Sequence, residues 1–369
     1  MLIDAPPIYY WNSNPYTVAF SPDGSTLAIG SGGWYGNGGL TLVDTGSARS
    51  SSIRFLDDLG SRGLVDLGGM PVADFDFGGS GLTVSGLAFD ADGQSLAACT
   101  WGRRQHGGPT FLFRVTGQSL EHRETFGGPD WQSEPAPTGL LLTGGRIHTR
   151  NAARKLEEVF TSHELPADVN SYVSVAHRSH ARVIHAGNEL LTGGGGSLSR
   201  VTWTPQTGWD ESQKVAAGLV VGLPARGVAT PGSRVTSILA HPDGTIITGG
   251  LEGELLQWEH EGDWRVTGQI RAEQPGDARR GATYFPQSVI GLCALADGRF
   301  YSVDAGGEVL EWSDGVSSRS FKLPREGSPR SIAVHPDTLR GPMIAVAVKA
   351  KENRGLEHKP GYTVCFSLD

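Results

Sequence analysis

Three cysteines in 369 residues, Cys99, Cys293 and Cys365, are too few and too far apart for a disulfide framework or a zinc ribbon. Their odd number fits a reduced compartment. Each lies inside an apolar run, where a thiol serves as a small buried hydrophobe. Positive charge is also in short supply. The 31 lysines and arginines face 39 aspartates and glutamates, giving a formal net charge of −8. Nucleic-acid and membrane-surface binders need a strong positive field, so both classes are disfavoured, and any basic patch must be local. No apolar run approaches the length of a membrane span. Residues 1–7, Met-Leu-Ile-Asp-Ala-Pro-Pro, lack the basic-then-apolar order of a signal peptide, and the chain reads as soluble and cytoplasmic.

Catalytic signatures are missing as well. Gly-x-Ser-x-Gly, the phosphate-binding Gly-x-x-x-x-Gly-Lys and His-Glu-x-x-His do not occur. The glycine run Gly193 to Gly196 has no Lys-Ser/Thr after it and precedes a strand, so it reads as a turn. His177 and His180, with His185 nearby and His163 upstream, are the nearest approach to a metal-ligand cluster. On a strand, residues three apart point to opposite faces, so they read as surface histidines. No cofactor and no metal are expected.

Glycine, at 53 residues, and proline, at 21, are abundant, yet the hydrophobic fraction is still 38%. That combination indicates many short strands joined by turns, an all-β chain. The clearest unit is Val235 to Trp258. An apolar run, Val235 to Ala240, meets the turn His241-Pro242-Asp243-Gly244, where proline fixes φ and glycine accepts φ > 0. A second run, Thr245 to Thr248, ends at Gly249-Gly250, which together with Glu252-Gly253 reads as turn chemistry before a third run, Leu255 to Trp258.

The same order recurs. Tyr16 to Phe20, Ser21-Pro22-Asp23-Gly24, Ser25 to Gly30 and Leu40 to Val43 form one unit. Val84 to Phe89, Ser95 to Cys99 and Thr110 to Val115 form the next. A third is irregular: Leu140 to Thr143 is its middle run, Lys155 to Phe160 its expected third strand and Tyr172 to His177 its outer one. In the fourth, Arg182 to His185 is preferred as first strand, with Leu198 to Trp203 third. Val289 to Leu295, Phe300 to Val303 and Val309 to Trp312 make the sixth. Ser331 to Val334, Ile344 to Val348 and Tyr362 to Phe366 make the seventh. Spacing of this kind, with room for a fourth strand in each unit, is that of propeller blades.

The Ser/His-Pro-Asp-Gly turn, the Gly-Gly after the middle strand and a closing Trp at Trp203, Trp258 and Trp312 resemble WD40-repeat propellers. The resemblance covers nearly the whole chain. It implies a single β-propeller over 1–369, with seven four-stranded blades closed by pairing of the N- and C-terminal strands, Ile8 to Trp11 supplying the missing outer strand. The family's Asp before the third strand is replaced by Glu252 in the fifth unit and Gly306 in the sixth, and no Trp-Asp dipeptide closes a unit. Hydrophobic stacking is expected to carry more of the stability.

The resemblance also implies that all loops between second and third strands open on one face. In the fourth to sixth units those loops are short and glycine-rich. The others carry Lys349, Lys351, Arg354, His358 and Lys359; Trp34 and Tyr35; Trp101, Arg103, Arg104 and His106; and Arg146, His148 and Arg150. Aromatic and arginine side chains are the types enriched at binding hot spots. The expectation is a non-enzymatic interaction scaffold that uses this arc for a protein partner with an acidic surface. The alternative is a propeller enzyme or small-ligand binder with carboxylates or histidines at the channel mouth.

Overall fold

Short apolar runs broken by glycine-bearing turns satisfy their backbone groups most directly by antiparallel pairing with the run that follows. The computed structural model describes residues 2–4, 14–33, 36–54, 83–89, 93–101, 107–126, 141–143, 146–148, 170–171, 181–185, 189–194, 197–204, 208–215, 235–262, 264–271, 286–335, 343–350 and 361–367. Their strands are β1 (Leu2–Asp4), β2 (Asn14–Phe20), β3 (Thr26–Gly33), β4 (Gly36–Asp44), β5 (Ser50–Arg54), β6 (Thr83–Phe89), β7 (Ser95–Trp101), β8 (Gly107–Thr116) and β9 (Ser119–Phe126). There follow β10 (Leu141–Thr143), β11 (Arg146–His148), β12 (Asn170–Ser171), β13 (Ala181–His185), β14 (Glu189–Gly194), β15 (Ser197–Thr204) and β16 (Gly208–Val215). The rest are β17 (Val235–Ala240), β18 (Ile246–Gly250), β19 (Leu255–His260), β20 (Trp264–Arg271), β21 (Val289–Ala294), β22 (Phe300–Asp304), β23 (Glu308–Ser313), β24 (Val316–Lys322), β25 (Ser328–Val334), β26 (Met343–Lys349) and β27 (Tyr362–Ser367).

The chain separates into two compact units, residues 1–175 with 326–369, and residues 176–325. In the first, β2-β3-β4-β5 and β6-β7-β8-β9 are four-stranded meanders, β11-β10-β12 is a three-stranded sheet, and β25-β26-β27 is completed by β1. The second holds the meanders β13-β14-β15-β16, β17-β18-β19-β20 and β21-β22-β23-β24.

Two expectations are corrected. The N-terminal strand that completes the last sheet is Leu2–Asp4, which pairs Leu2 with Val364 and Asp4 with Tyr362; residues 8–11 lie outside the described ones. The strand that follows β10 and pairs with it is β11, where Lys155 to Phe160 was expected. The other neighbour of β10 is β12, on the opposite edge; residues 155–160 and the expected outer strand at 172–177 lie outside the described ones. The preferred register of the fourth unit is the observed one.

Neighbouring sheets stack through apolar faces. Ala28, Leu40 and Leu42 of the first sheet pack with Leu87, Phe111 and Phe113 of the next. Val18, Leu27 and Val43 pack with Ala345, Ala347 and Cys365, and Leu239, Ile247 and Leu255 with Val289, Phe300 and Trp312. Burying each large side chain contributes about 1.5–3 kcal/mol. Cys293 and Cys365 are buried within this packing, and burial pushes the Cys365 thiol up to about 11.

Gly-Gly after the middle strand is not a turn. Gly249 and Gly250 belong to β18. A Cβ on Gly249 would lie 2.5 Å from Val289 Cγ1, and one on Gly30 would lie 2.5 Å from Val84 Cγ1. In both sheets the missing side chain lets the next sheet's first strand approach.

A second rule links strands within a sheet. Ile246 faces Trp258 and Phe300 faces Trp312 across the second and third strands. Each indole donates Nε1–H to a hydroxyl two residues along the second strand, Thr248 Oγ1 and Ser302 Oγ, both at 2.9 Å. Where the third-strand position holds Val43, Phe113 or Phe366, opposite Leu27, Leu96 and Ile344, the residue two further on is Ile29, Ala98 or Val346. Among these five sheets a hydroxyl stands at that position only where an indole N–H needs an acceptor.

The first turns behave as their composition predicts. Gly24, Gly93, Gly244 and Gly298 all have φ between 69° and 91°. Asp23, Asp243 and Asp297 each accept the backbone N–H two residues on, at 3.0, 2.8 and 3.0 Å. The turns also meet one another: His241 Nε2 lies 2.7 Å from Gly298 O, and the His335 ring occupies the space beside Gly24 where a side chain would project.

The Ser21 hydroxyl, 2.6 Å from Asp23 Oδ1, together with Ser25 holds that carboxyl below its ordinary value of 3.8. A carboxyl depressed on folding contributes stability that is present above its unfolded pKa and is lost as the pH falls through its folded one. Asp23→Asn is therefore expected to make the loss of stability below pH 3.8 shallower than in the wild type. Urea midpoints measured across that range test this, and parallel curves would refute it.

Candidate interaction face

The face is built from the ends of three stacked sheets in the first unit. Strand β2 begins at Asn14, whose buried side chain accepts the Ala350 N–H through Oδ1 at 2.9 Å. Gly361, at the far stem of the same connection, has Asn14 Oδ1 and Pro15 Cδ 2.7 and 2.6 Å from where its Cβ would be. Both stems of the segment between β26 and β27 are thus seated on the start of β2. Asn14 pairs with Gly32, at the stem of the loop between β3 and β4. A Cβ on Gly32 would sit 2.4 Å from Thr83 Cα, so β6 starts directly against it. Thr83 in turn pairs with Trp101, at the stem of the loop between β7 and β8.

The row 350/361, Asn14, Gly32, Thr83 and Trp101 therefore sets the stems of three second-to-third-strand loops side by side at one end of three sheets. At Gly32 and Gly361 even a Cβ would clash, so these stems are closely seated, and long loops on such a scaffold are where recognition commonly sits. The second unit repeats the device: Gly253 meets Gln287 O, and the Ser288 hydroxyl donates to Leu251 O. There the connections 251–254 and 305–307 are short and glycine-bearing, without aromatic or basic side chains.

Of the side chains expected at this face, Lys349 closes β26, half-buried, and Trp101 closes β7. Arg146 and His148 are on strand β11, not in a loop, which corrects their expected setting. Trp34, Tyr35, Arg103, Arg104, His106, Arg150, Lys351, Arg354, His358 and Lys359 lie outside the described residues. Sequence reasoning missed Tyr16 and Arg330. Register shifts between the first and second strands leave Tyr16, Ser85, Thr236, Ile290 and Arg330 as the extra residue of a bulge in five sheets. The guanidinium of Arg330 lies over the Tyr16 ring, 5.7 Å from its centroid. The slot lies four residues before the end of each of these five first strands, and that fixed spacing was the signal that could have found them.

Buried carboxylates in the second unit are engaged within their own sheet. Glu311 accepts the Tyr301 phenol at 3.0 Å and the Ser318 hydroxyl at 2.8 Å, and burial with that carboxylate pushes the phenol up. Asp304, raised by burial, accepts the Glu308 N–H at 2.9 Å. Among the described residues no three His, Cys, Asp or Glu side chains gather in a group able to hold a metal ion.

No family model and no curated protein sequence matches the chain. Solved structures do. The Myceliophteria thermophila Cps50 (Swd1) β-propeller domain aligns over 98% of this chain and 99% of its own, at 12% identity and a TM-score of 0.55. U3-55K aligns over 100% and 98%, at 14% identity and 0.56. Chaetomium thermophilum Raptor aligns over 99% of this chain but 28% of its own length, at 13% identity and 0.58. The RRP9 WD40 repeats align over 99% and 96%, at 14% identity and 0.56. The chain has a WD40-like β-propeller fold.

Proposed function

We propose that the chain is a non-enzymatic protein-interaction scaffold, a single propeller domain over 1–369, that binds a partner through the loops between β3 and β4, β7 and β8, and β26 and β27. The observation that supports this reading is the row of seated loop stems, which sets side by side the ends of the three segments whose sequences hold Trp34, Tyr35, Arg103, Arg104, Lys351, Arg354 and Lys359. The fold likeness supports a scaffold in general; the face is our inference. Glu352 and Glu357 share the last segment, so the cationic character is local and mixed, which favours an acidic protein surface over a nucleic-acid backbone.

Replacing Arg103, Arg104, Lys349 and Lys351 together by glutamate is expected to abolish co-purification of the main partner. Arg319→Glu with Lys322→Glu, on the exposed outer strand β24, is expected to leave it intact. Equal recovery with both variants would overturn the assignment, provided their melting temperatures match.

A further inference from the structure

Bulges re-aim a side chain away from the pleat, and five first strands carry one at the same position. In the second unit the bulged residue is absorbed by the fold: the Thr236 hydroxyl bonds Gly249 O at 3.1 Å and also reaches Val289 O of the next sheet. In the first unit two of the three slots hold an arginine and a tyrosine instead. Arg330 Nε is buried with no hydrogen-bond partner, although the residue as a whole is half-buried and its guanidinium lies over the Tyr16 ring. Pro329, just before it, pairs with Val348, and Ser328 pairs with Lys349. A second cation therefore starts from the neighbouring strand end, beside the seated stem at Ala350.

Nε is enclosed, so it is the two terminal Nη groups, which are not among the enclosed atoms, that present the parallel donors a carboxylate fills. The cation–π contact with Tyr16 limits where the guanidinium sits before any ligand arrives.

We propose that Arg330, oriented by Tyr16, receives an Asp or Glu side chain of an acidic peptide segment, with Lys349 adding charge beside it. This deepens the scaffold reading and rests on it, since it names the chemistry of the partner. The fork is the specific part: Arg330 supplies paired hydrogen bonds, whereas the loop cations steer.

A fluorescein-labelled oligoglutamate peptide is the probe, titrated into the full chain at low salt with anisotropy as readout. Arg330→Gln is expected to weaken binding about tenfold or more. Arg330→Lys, which keeps the charge and loses the fork, should recover little of that loss. Tyr16→Phe should bind as wild type, and Tyr16→Ala should bind several-fold more weakly. Failure of the wild type to bind, or equal binding by Arg330→Gln at an unchanged melting temperature, would overturn the proposal. So would tighter capture of a phosphoserine peptide of the same length, which would make the ligand a phosphate. If Arg330→Gln is silent while the loop-glutamate variant still loses its partner, this inference fails and the scaffold reading stands.

Discussion

Trp258→Ala should cost about 3–5 kcal/mol, the range for removing a large aromatic from a packed interior. The indole is 1% exposed, and its Nε1–H is spent on Thr248 Oγ1. Alanine removes the packed surface and orphans nothing polar on the indole side, so the loss is mainly cavity. Thr248→Val tests the other half. It keeps the shape and leaves the N–H without its acceptor, at about 1–3 kcal/mol. The double variant Trp258→Phe/Thr248→Val installs the pair that the last sheet already uses, Phe366 with Val346. It is expected to be more stable than the sum of its single changes allows, because the buried donor and its acceptor leave together. Urea unfolding followed by far-ultraviolet circular dichroism measures these three and the single change Trp258→Phe, which completes the cycle. Additive losses would contradict the pairing rule.

Gly249→Ala is the second large effect. Its Cβ would meet Ser237 Oγ at 2.4 Å and Val289 Cγ1 at 2.5 Å. Overpacking of this kind costs about 1–3 kcal/mol or more. Val289, fully buried, belongs to the first strand of the next sheet, so the clash lies between sheets as well as with Ser237 of the same sheet. Val289→Ala alone should also destabilise, by leaving a cavity. Combined with Gly249→Ala it should return part of both losses, since one methyl fills what the other vacates. Thermal melts of the four proteins give the coupling, and a coupling of zero would mean that the two residues do not oppose each other.

These two residues mark what could be read in advance. Turn chemistry is local, so Asp23, Gly24, Asp243 and Gly244 announced their turns and the strands on either side of them. Trp203, Trp258 and Trp312 announced the third strands of their sheets. Gly249 was legible as glycine but misread as a turn, because its requirement is set by Val289, forty residues on and in another sheet. A sequence pattern holds no record of such an approach. The terminal strand was misplaced for a related reason: three residues, Leu2–Asp4, carry no periodicity, and only their pairing with Tyr362–Val364 identifies them. The irregular third unit misled because Pro135 and Pro137 hide any first strand, and β12 pairs on that edge of β10.

The candidate face divides in the same way. Its loops were visible as long, basic and aromatic insertions between second and third strands. What brings three of them together was not visible, because it rests on Asn14, Gly32 and Thr83, small residues whose composition says nothing about loops two sheets apart. Arg330 and Tyr16 escaped because a bulge is a register event and leaves no mark on the spacing of apolar residues.

Site-specific photo-crosslinking in cells tests the central claim most directly, with a photoreactive phenylalanine analogue placed singly at positions 35, 104 and 351, and at the exposed turn positions Pro22 and Pro242 on the opposite ends of their sheets. The expected result is a shared protein adduct from positions 35, 104 and 351 and none from 22 or 242. Adducts from 22 and 242 with none from the loops would contradict the account, placing the partner at the turn ends of those sheets.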